Sequence, residues 1–136
     1  MRVGVLALQG DFREHIAALS SLNVESISVR TPEELASVDA LILPGGESTT
    51  IAKLARSFGI FDAIQKRVAE GMPVYGSCAG LILLSNEILD GIVGQETFGG
   101  LNITARRNAF GRQVDSFEGE IDFSGIGKLN GVFIRA

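Results

Sequence analysis

Val74-Tyr75-Gly76-Ser77-Cys78-Ala79-Gly80-Leu81-Ile82-Leu83-Leu84 runs from a short strand, through a turn framed by two glycines, into an apolar helix. The same change of character occurs upstream. Ala40–Leu43 is an apolar run that stops at Pro44-Gly45-Gly46, after which Ile51, Leu54, Ala55 and Phe58 follow helical spacing. Phe61, Ile64 and Val68 continue a second helical stretch, closed by Gly71 with Pro73 behind it. Nearer the start, Val3–Leu8 suits a strand buried on both faces. Asp11 then caps a helix with Glu14 three residues on, and Phe12, Ile16 and Leu19 share one face. Val24–Val29 reads as another strand, and Thr31-Pro32-Glu33-Glu34 opens a short helix with a cap, a first-position proline and an acid. A helix over Ala79–Leu89 completes the series. This alternation predicts an α/β fold: an open, mostly parallel sheet with helices on both faces, of the flavodoxin-like type.

Residues 91–136 differ. They hold nine of the seventeen glycines and no clear helical period. Leu101, Ile103 and Ala105 alternate with polar residues, as do Ile121 and Phe123, and Val132–Ile134 is one more apolar run. These read as strands joined by glycine turns, an antiparallel extension of the sheet. There is no repeat or linker, and 136 residues make one domain, 1–136.

Composition narrows the function. Sixteen acids against twelve Lys and Arg give net −4, which argues against nucleic acid or an anionic membrane as partner. A single cysteine excludes an internal disulfide and a cysteine metal cluster, and a single histidine a multi-histidine metal site. No apolar run approaches the ~18 residues of a bilayer span, and no small-residue cleavage site follows the first strand. The cytosol is the expected compartment, and no metal or cofactor is called for.

The chemistry centres on Cys78. A nucleophile between strand and helix stands on a sharp elbow, and small residues two before and two after let the backbone close up. The unpaired N–H groups of the helix start favour a thiolate and can hold a developing oxyanion. The bland alternative is a small buried hydrophobe between turn glycines. Pro44-Gly45-Gly46-Glu47-Ser48-Thr49 also joins strand to helix. Its glycines let backbone amides face a ligand, and Ser48 or Thr49 caps the helix or binds substrate; a plain turn with a serine cap is equally compatible. If both strands are parallel, this loop and the Cys78 elbow share one edge. His15 reads as a half-buried or surface helix residue before it reads as a base for Cys78. Arg106, Arg107 and Arg112 form a small basic cluster, either a solvated turn or a carboxylate site.

Taken in order, Gly4–Gly10, Leu43–Thr50, Gly76–Gly80, Arg107–Glu118 and Val132–Ala136 closely resemble the triad-type (class I) glutamine amidotransferases. Within them they resemble the glutaminase subunits of pyridoxal 5′-phosphate synthase, over essentially the whole chain. The resemblance implies that a cysteine thiolate attacks the side-chain amide of L-glutamine, giving a glutamyl thioester and ammonia. Ammonia then passes to a barrel-shaped synthase subunit, in vitamin B6 biosynthesis, and water releases glutamate. Carried over, Cys78 matches the nucleophile, and the N–H groups of Gly46 and Ala79 match the oxyanion hole. Gly46, Glu47, Ser48, Arg107, Ile134 and Arg135 match residues that contact glutamine. Gln9-Gly10 and the first helix match the region that meets the synthase, an interface whose formation orders the active site.

Two departures stand out. Ser77 replaces the family's usual threonine, a small change. More serious, the family's catalytic His-x-Glu lies well beyond the segment matching Val132–Ala136, and this chain has no such motif. The resemblance therefore implies a shortened glutaminase lacking C-terminal elements and its general base, nearly inactive as it stands. Two rivals remain: a non-catalytic module docking on the synthase, and a redox-type cysteine-elbow protein.

Overall fold

The computed structural model of the chain describes residues 1–106 and 117–133. They fall into two compact units, Met1–Ala105 and Arg106–Ala136. The first unit runs β1 (Arg2–Leu6), α1 (Phe12–Ser21), β2 (Glu25–Val29), α2 (Pro32–Ala36), β3 (Ala40–Leu43), α3 (Ser48–Ser57), α4 (Phe61–Ala69), β4 (Val74–Gly76), α5 (Ala79–Leu84), β5 (Ser85–Leu89) and β6 (Leu101–Arg106). Four strands form a parallel sheet in the order β2-β1-β3-β4, with Val5 opposite both Ser28 and Ile42, and Leu43 opposite Gly76.

Alternation along β1 divides the core between the two faces of the sheet. Leu6 joins Val29, Leu41, Leu43, Ile51, Ala55, Phe61, Ile64 and Leu83 in one buried cluster. Val3, Val5 and Ala7 are buried on the opposite side, where the half-buried Phe12, Ile16 and Leu19 of α1 cover them. Right-handed crossovers demand this split: the step from β1 to β2 runs one way along the sheet, and the steps to β3 and β4 run the other. Gly4 lies on the cluster side, where a Cβ would stand 2.7 Å from Val29. No helix among the described residues is long and apolar enough to cross a membrane.

Thr31 caps α2 as the sequence suggests: Glu34 N donates to Thr31 Oγ1 at 3.3 Å and Thr31 N donates to Glu34 Oε2 at 3.1 Å. Gly71 closes α4 at φ +90°, with Met72 N donating back to Arg67 O at 3.0 Å. Asp11, in contrast, makes no side-chain cap hydrogen bond to α1. Its backbone N–H instead donates to Gly45 O at 3.3 Å, so a neighbouring loop takes the residue that local pattern assigns to the helix. Phe58 ends α3 half-exposed and outside the core, because it is the C-cap and lies past the last turn.

The expected helix over Ala79–Leu89 is a second correction. It ends at Leu84, where Ser85 turns extended at ψ 148° and its hydroxyl donates to Ile82 O at 2.6 Å. Residues 85–89 become β5, which pairs with β6. Among the described residues, the strands after residue 84 pair in two-stranded sheets, β5-β6 and β7-β8, rather than with the four parallel strands. Residues Asp90, Gly94, Gly99 and Gly100, all at positive φ, carry the chain between β5 and β6. In the second unit, β7 (Phe117–Phe123) and β8 (Gly127–Phe133) form an antiparallel hairpin, closed by Ile126 N donating to Phe123 O at 2.9 Å. Lys128 Nζ reaches Glu120 Oε1 at 2.6 Å and Asn130 Nδ2 reaches Glu118 Oε2 at 3.0 Å across it.

Candidate active site

Because β1, β3 and β4 are parallel neighbours, the loops that leave them emerge on one sheet edge. These loops are residues 7–11, 44–47 and 77–78. The two predicted glycine loops therefore share an edge, as the parallel reading requires. They are bonded together: Ser77 N donates to Leu43 O at 3.1 Å, and Glu47 N donates to Gln9 Oε1 at 3.0 Å. A Cβ on Gly10 would stand 1.8 Å from Gly45 O, so the first loop presses directly on the second.

Cys78 is exposed, which removes the buried-hydrophobe reading. Its backbone sits at φ 50°, ψ −111°, a conformation that L residues avoid. The flanking glycines explain how the turn closes. A Cβ on Gly76 would lie 2.6 Å from the Gly80 carbonyl, and one on Gly80 would lie 2.1 Å from Leu43 O. Neither position needs a positive φ; both need the absence of a side chain. Ala79 follows as the first residue of α5, and its N–H is among those with no acceptor within the helix. Cys78 is itself the N-cap of the six-residue α5, and its side chain makes no hydrogen bond to these first-turn N–H groups.

In the second loop Glu47, not Ser48 or Thr49, caps α3. Its carboxylate accepts from Thr49 N at 3.1 Å, from Thr50 N at 2.7 Å and from Thr50 Oγ1 at 2.7 Å. Burial alone would raise the pKa, but these hydrogen bonds outweigh it and hold the carboxyl down at about 2. Ser48 is buried, and Gln95 Nε2 donates to its Oγ at 2.9 Å. Gly46 has φ +150°, and a Cβ there would stand 2.5 Å from Gln9 Oε1.

His15 lies beside the elbow but not on the thiol: its Nε2 is hydrogen-bonded to Ser77 Oγ at 3.2 Å, and its ring stands edge-on to Tyr75. Spacing along the chain held no signal for this contact or for the Gln9 bond to Glu47, since 62 and 38 positions separate the partners. Arg107, Ile134 and Arg135 lie outside the described residues, as does Arg112 of the basic cluster. A cavity of about 400 Å³ is lined not by Cys78 but by Thr49, Lys53, Arg56 and residues 92–96.

The model of the SNO glutamine amidotransferase family matches residues 5–136. A "Pyridoxal 5′-phosphate synthase subunit PdxT" of Acidothermus cellulolyticus is 59% identical over 99% of the chain and 66% of the relative's length. One from Nocardioides is 60% identical over 98% and 67%. The chain thus spans about two thirds of the length of these relatives. A crystal structure of a glutamine amidotransferase superposes with a TM-score of 0.82 at 56% identity, covering 98% of the chain and 71% of that structure. A peptidase E-like protein from Listeria monocytogenes shares the fold alone, at 15% identity and a TM-score of 0.62.

Proposed function

The chain belongs to the SNO glutamine amidotransferase family, and from that premise we propose that it carries the glutamine-hydrolysing site of a pyridoxal 5′-phosphate synthase, serving vitamin B6 biosynthesis. The observation that carries the reading is Cys78, exposed and held at φ 50° on a glycine-framed elbow beside the Gly45-Gly46 loop. In the proposed reaction Sγ, as thiolate, attacks the carboxamide carbon of L-glutamine. The oxyanion that forms is held by the N–H groups of Ala79 and Gly46. The C–N bond breaks and ammonia leaves with an added proton. Water then cleaves the glutamyl thioester, regenerating the thiol and releasing glutamate.

The remaining contacts to glutamine are assigned to Gly46, Glu47, Ser48, Arg107, Ile134 and Arg135. Since the Glu47 carboxylate caps α3 and the Ser48 hydroxyl is bonded to Gln95, these two act through their backbone groups. Ammonia passes to a barrel-shaped synthase subunit that meets Gln9-Gly10 and α1. The unbroken family match over residues 5–136 supports treating them as one amidotransferase domain. The sole imidazole of the 136 residues is bonded to Ser77. Among the described residues no imidazole is therefore hydrogen-bonded to Cys78, and without a general base turnover is expected to fall by about 10²–10⁴-fold.

The test is labelling with a diazoketone analogue of glutamine followed by peptide mass analysis. The adduct is expected on Cys78, blocked by excess glutamine and absent from Cys78→Ala. Labelling elsewhere, or labelling that glutamine does not block, refutes the site. The single imidazole, bonded to Ser77 and not to the thiol, also favours a second reading, a docking module without turnover. On that reading Cys78→Ala keeps its affinity for the synthase subunit, and the diazoketone leaves Cys78 unlabelled.

A further inference from the structure

We propose that His15 is a positioning residue for Cys78, acting through Ser77; the inference rests on reading the elbow as the nucleophile's seat. Ser77 immediately precedes Cys78, and the peptide between them sets the φ of Cys78. All three polar groups of Ser77 are committed. Its N–H donates to Leu43 O at 3.1 Å, its carbonyl accepts from Gly80 N at 2.8 Å, and its hydroxyl is bonded to His15 Nε2 at 3.2 Å. The first bond ties it to β3, the second to the start of α5, and the third to α1. Among the described residues, His15 supplies the side-chain hydrogen bond that links α1 to the elbow.

The placement of the imidazole is supported from two sides. Ile16, the next residue, is half-buried with Phe12 and Leu19 against the sheet, which anchors α1 without any fully buried residue of its own. The ring also stands 6.4 Å from Tyr75, at an interplanar angle of 68°, and so leans on the last strand before the turn. A residue at φ 50° persists only where its surroundings over-determine it. Gly76 and Gly80 allow the bend; the Ser77 tethers hold it. Releasing the α1 tether lets the peptide before Cys78 relax, moving the thiol from the position that the elbow gives it.

Cys78 is the chain's sole cysteine, so its alkylation by iodoacetamide reads the elbow without needing turnover. At fixed pH, His15→Ala is expected to slow alkylation about three- to tenfold, the order of one hydrogen bond. Ser77→Ala is expected to slow it equally, and the double variant no further than either. His15→Gln, which can return a nitrogen near Ser77 Oγ, is expected to recover most of the rate. Thermal unfolding of each variant accompanies the rates. Wild-type or faster alkylation in His15→Ala, multiplying effects in the double variant, or no recovery in a folded His15→Gln each overturn the proposal. Should His15→Ala fail to fold, Ser77→Ala and His15→Gln decide by the same criteria. If Cys78 labels without protection by glutamine while these ratios hold, the glutaminase reading fails and the positioning role stands. If only the ratios fail, the reverse is true.

Discussion

Glu47→Gln isolates the charge that caps α3 at the edge where the glycine loops meet. The carboxylate accepts two backbone N–H groups and the Thr50 hydroxyl, and its pKa falls from 4.5 to about 2. Held in full, that difference corresponds to about 3 kcal/mol of stability in the charged form. The side chain faces solvent, so screening reduces it to about 1–2 kcal/mol, the range of measured helix caps. The sign follows from linkage. The folded-state pKa is depressed, so the contribution is complete above about pH 4.5 and is lost as pH falls toward 2. Urea unfolding followed by circular dichroism, run at several pH values between 7 and 3, measures it. Wild type is expected to exceed Glu47→Gln by about 1–2 kcal/mol at pH 7, and the gap to shrink by half or more at pH 3. A gap that is absent at pH 7, or constant across the range, refutes the capping account.

Other perturbations test the packing. Gly80→Ala, whose Cβ meets the Leu43 carbonyl at 2.1 Å, is expected to lose about 2–3 kcal/mol in denaturant unfolding. Gly59→Ala, at φ +69° in open space, is expected to lose only about 1 kcal/mol by the same assay. Phe98 is buried with its ring 4.8 Å from that of Phe61, and Phe98→Ala is expected to lose about 3–5 kcal/mol in that assay. Arg56 binds Glu96 through Nε and Nη2 and Asp62 through Nη1, above the Phe61 ring. Arg56→Ala is expected to speed proteolytic cleavage within residues 92–96 while leaving the far-UV spectrum unchanged.

Sequence alone determined the parallel α/β core, because fully apolar runs such as Val3–Leu8 and Ala40–Leu43 suit only strands covered on both faces. It also singled out Cys78, since a glycine two residues to either side is what a tight strand-to-helix turn requires. Thr31 and Glu34 spelled out their capping box in four residues, a range over which local chemistry decides. Where neighbours distant in the chain compete for the same groups, local pattern fell short. Asp11 looked like a cap but lends its N–H to Gly45. Ser85 sits in an apolar helical pattern, yet it ends α5 and starts a strand that finds β6 sixteen residues later. The identity of the α3 cap, the bond from Glu47 N–H to Gln9 and the turning of His15 toward Ser77 rather than the thiol were settled by tertiary structure. Each depends on parallel strands bringing separate loops to one edge, a distance that no spacing along the chain encodes.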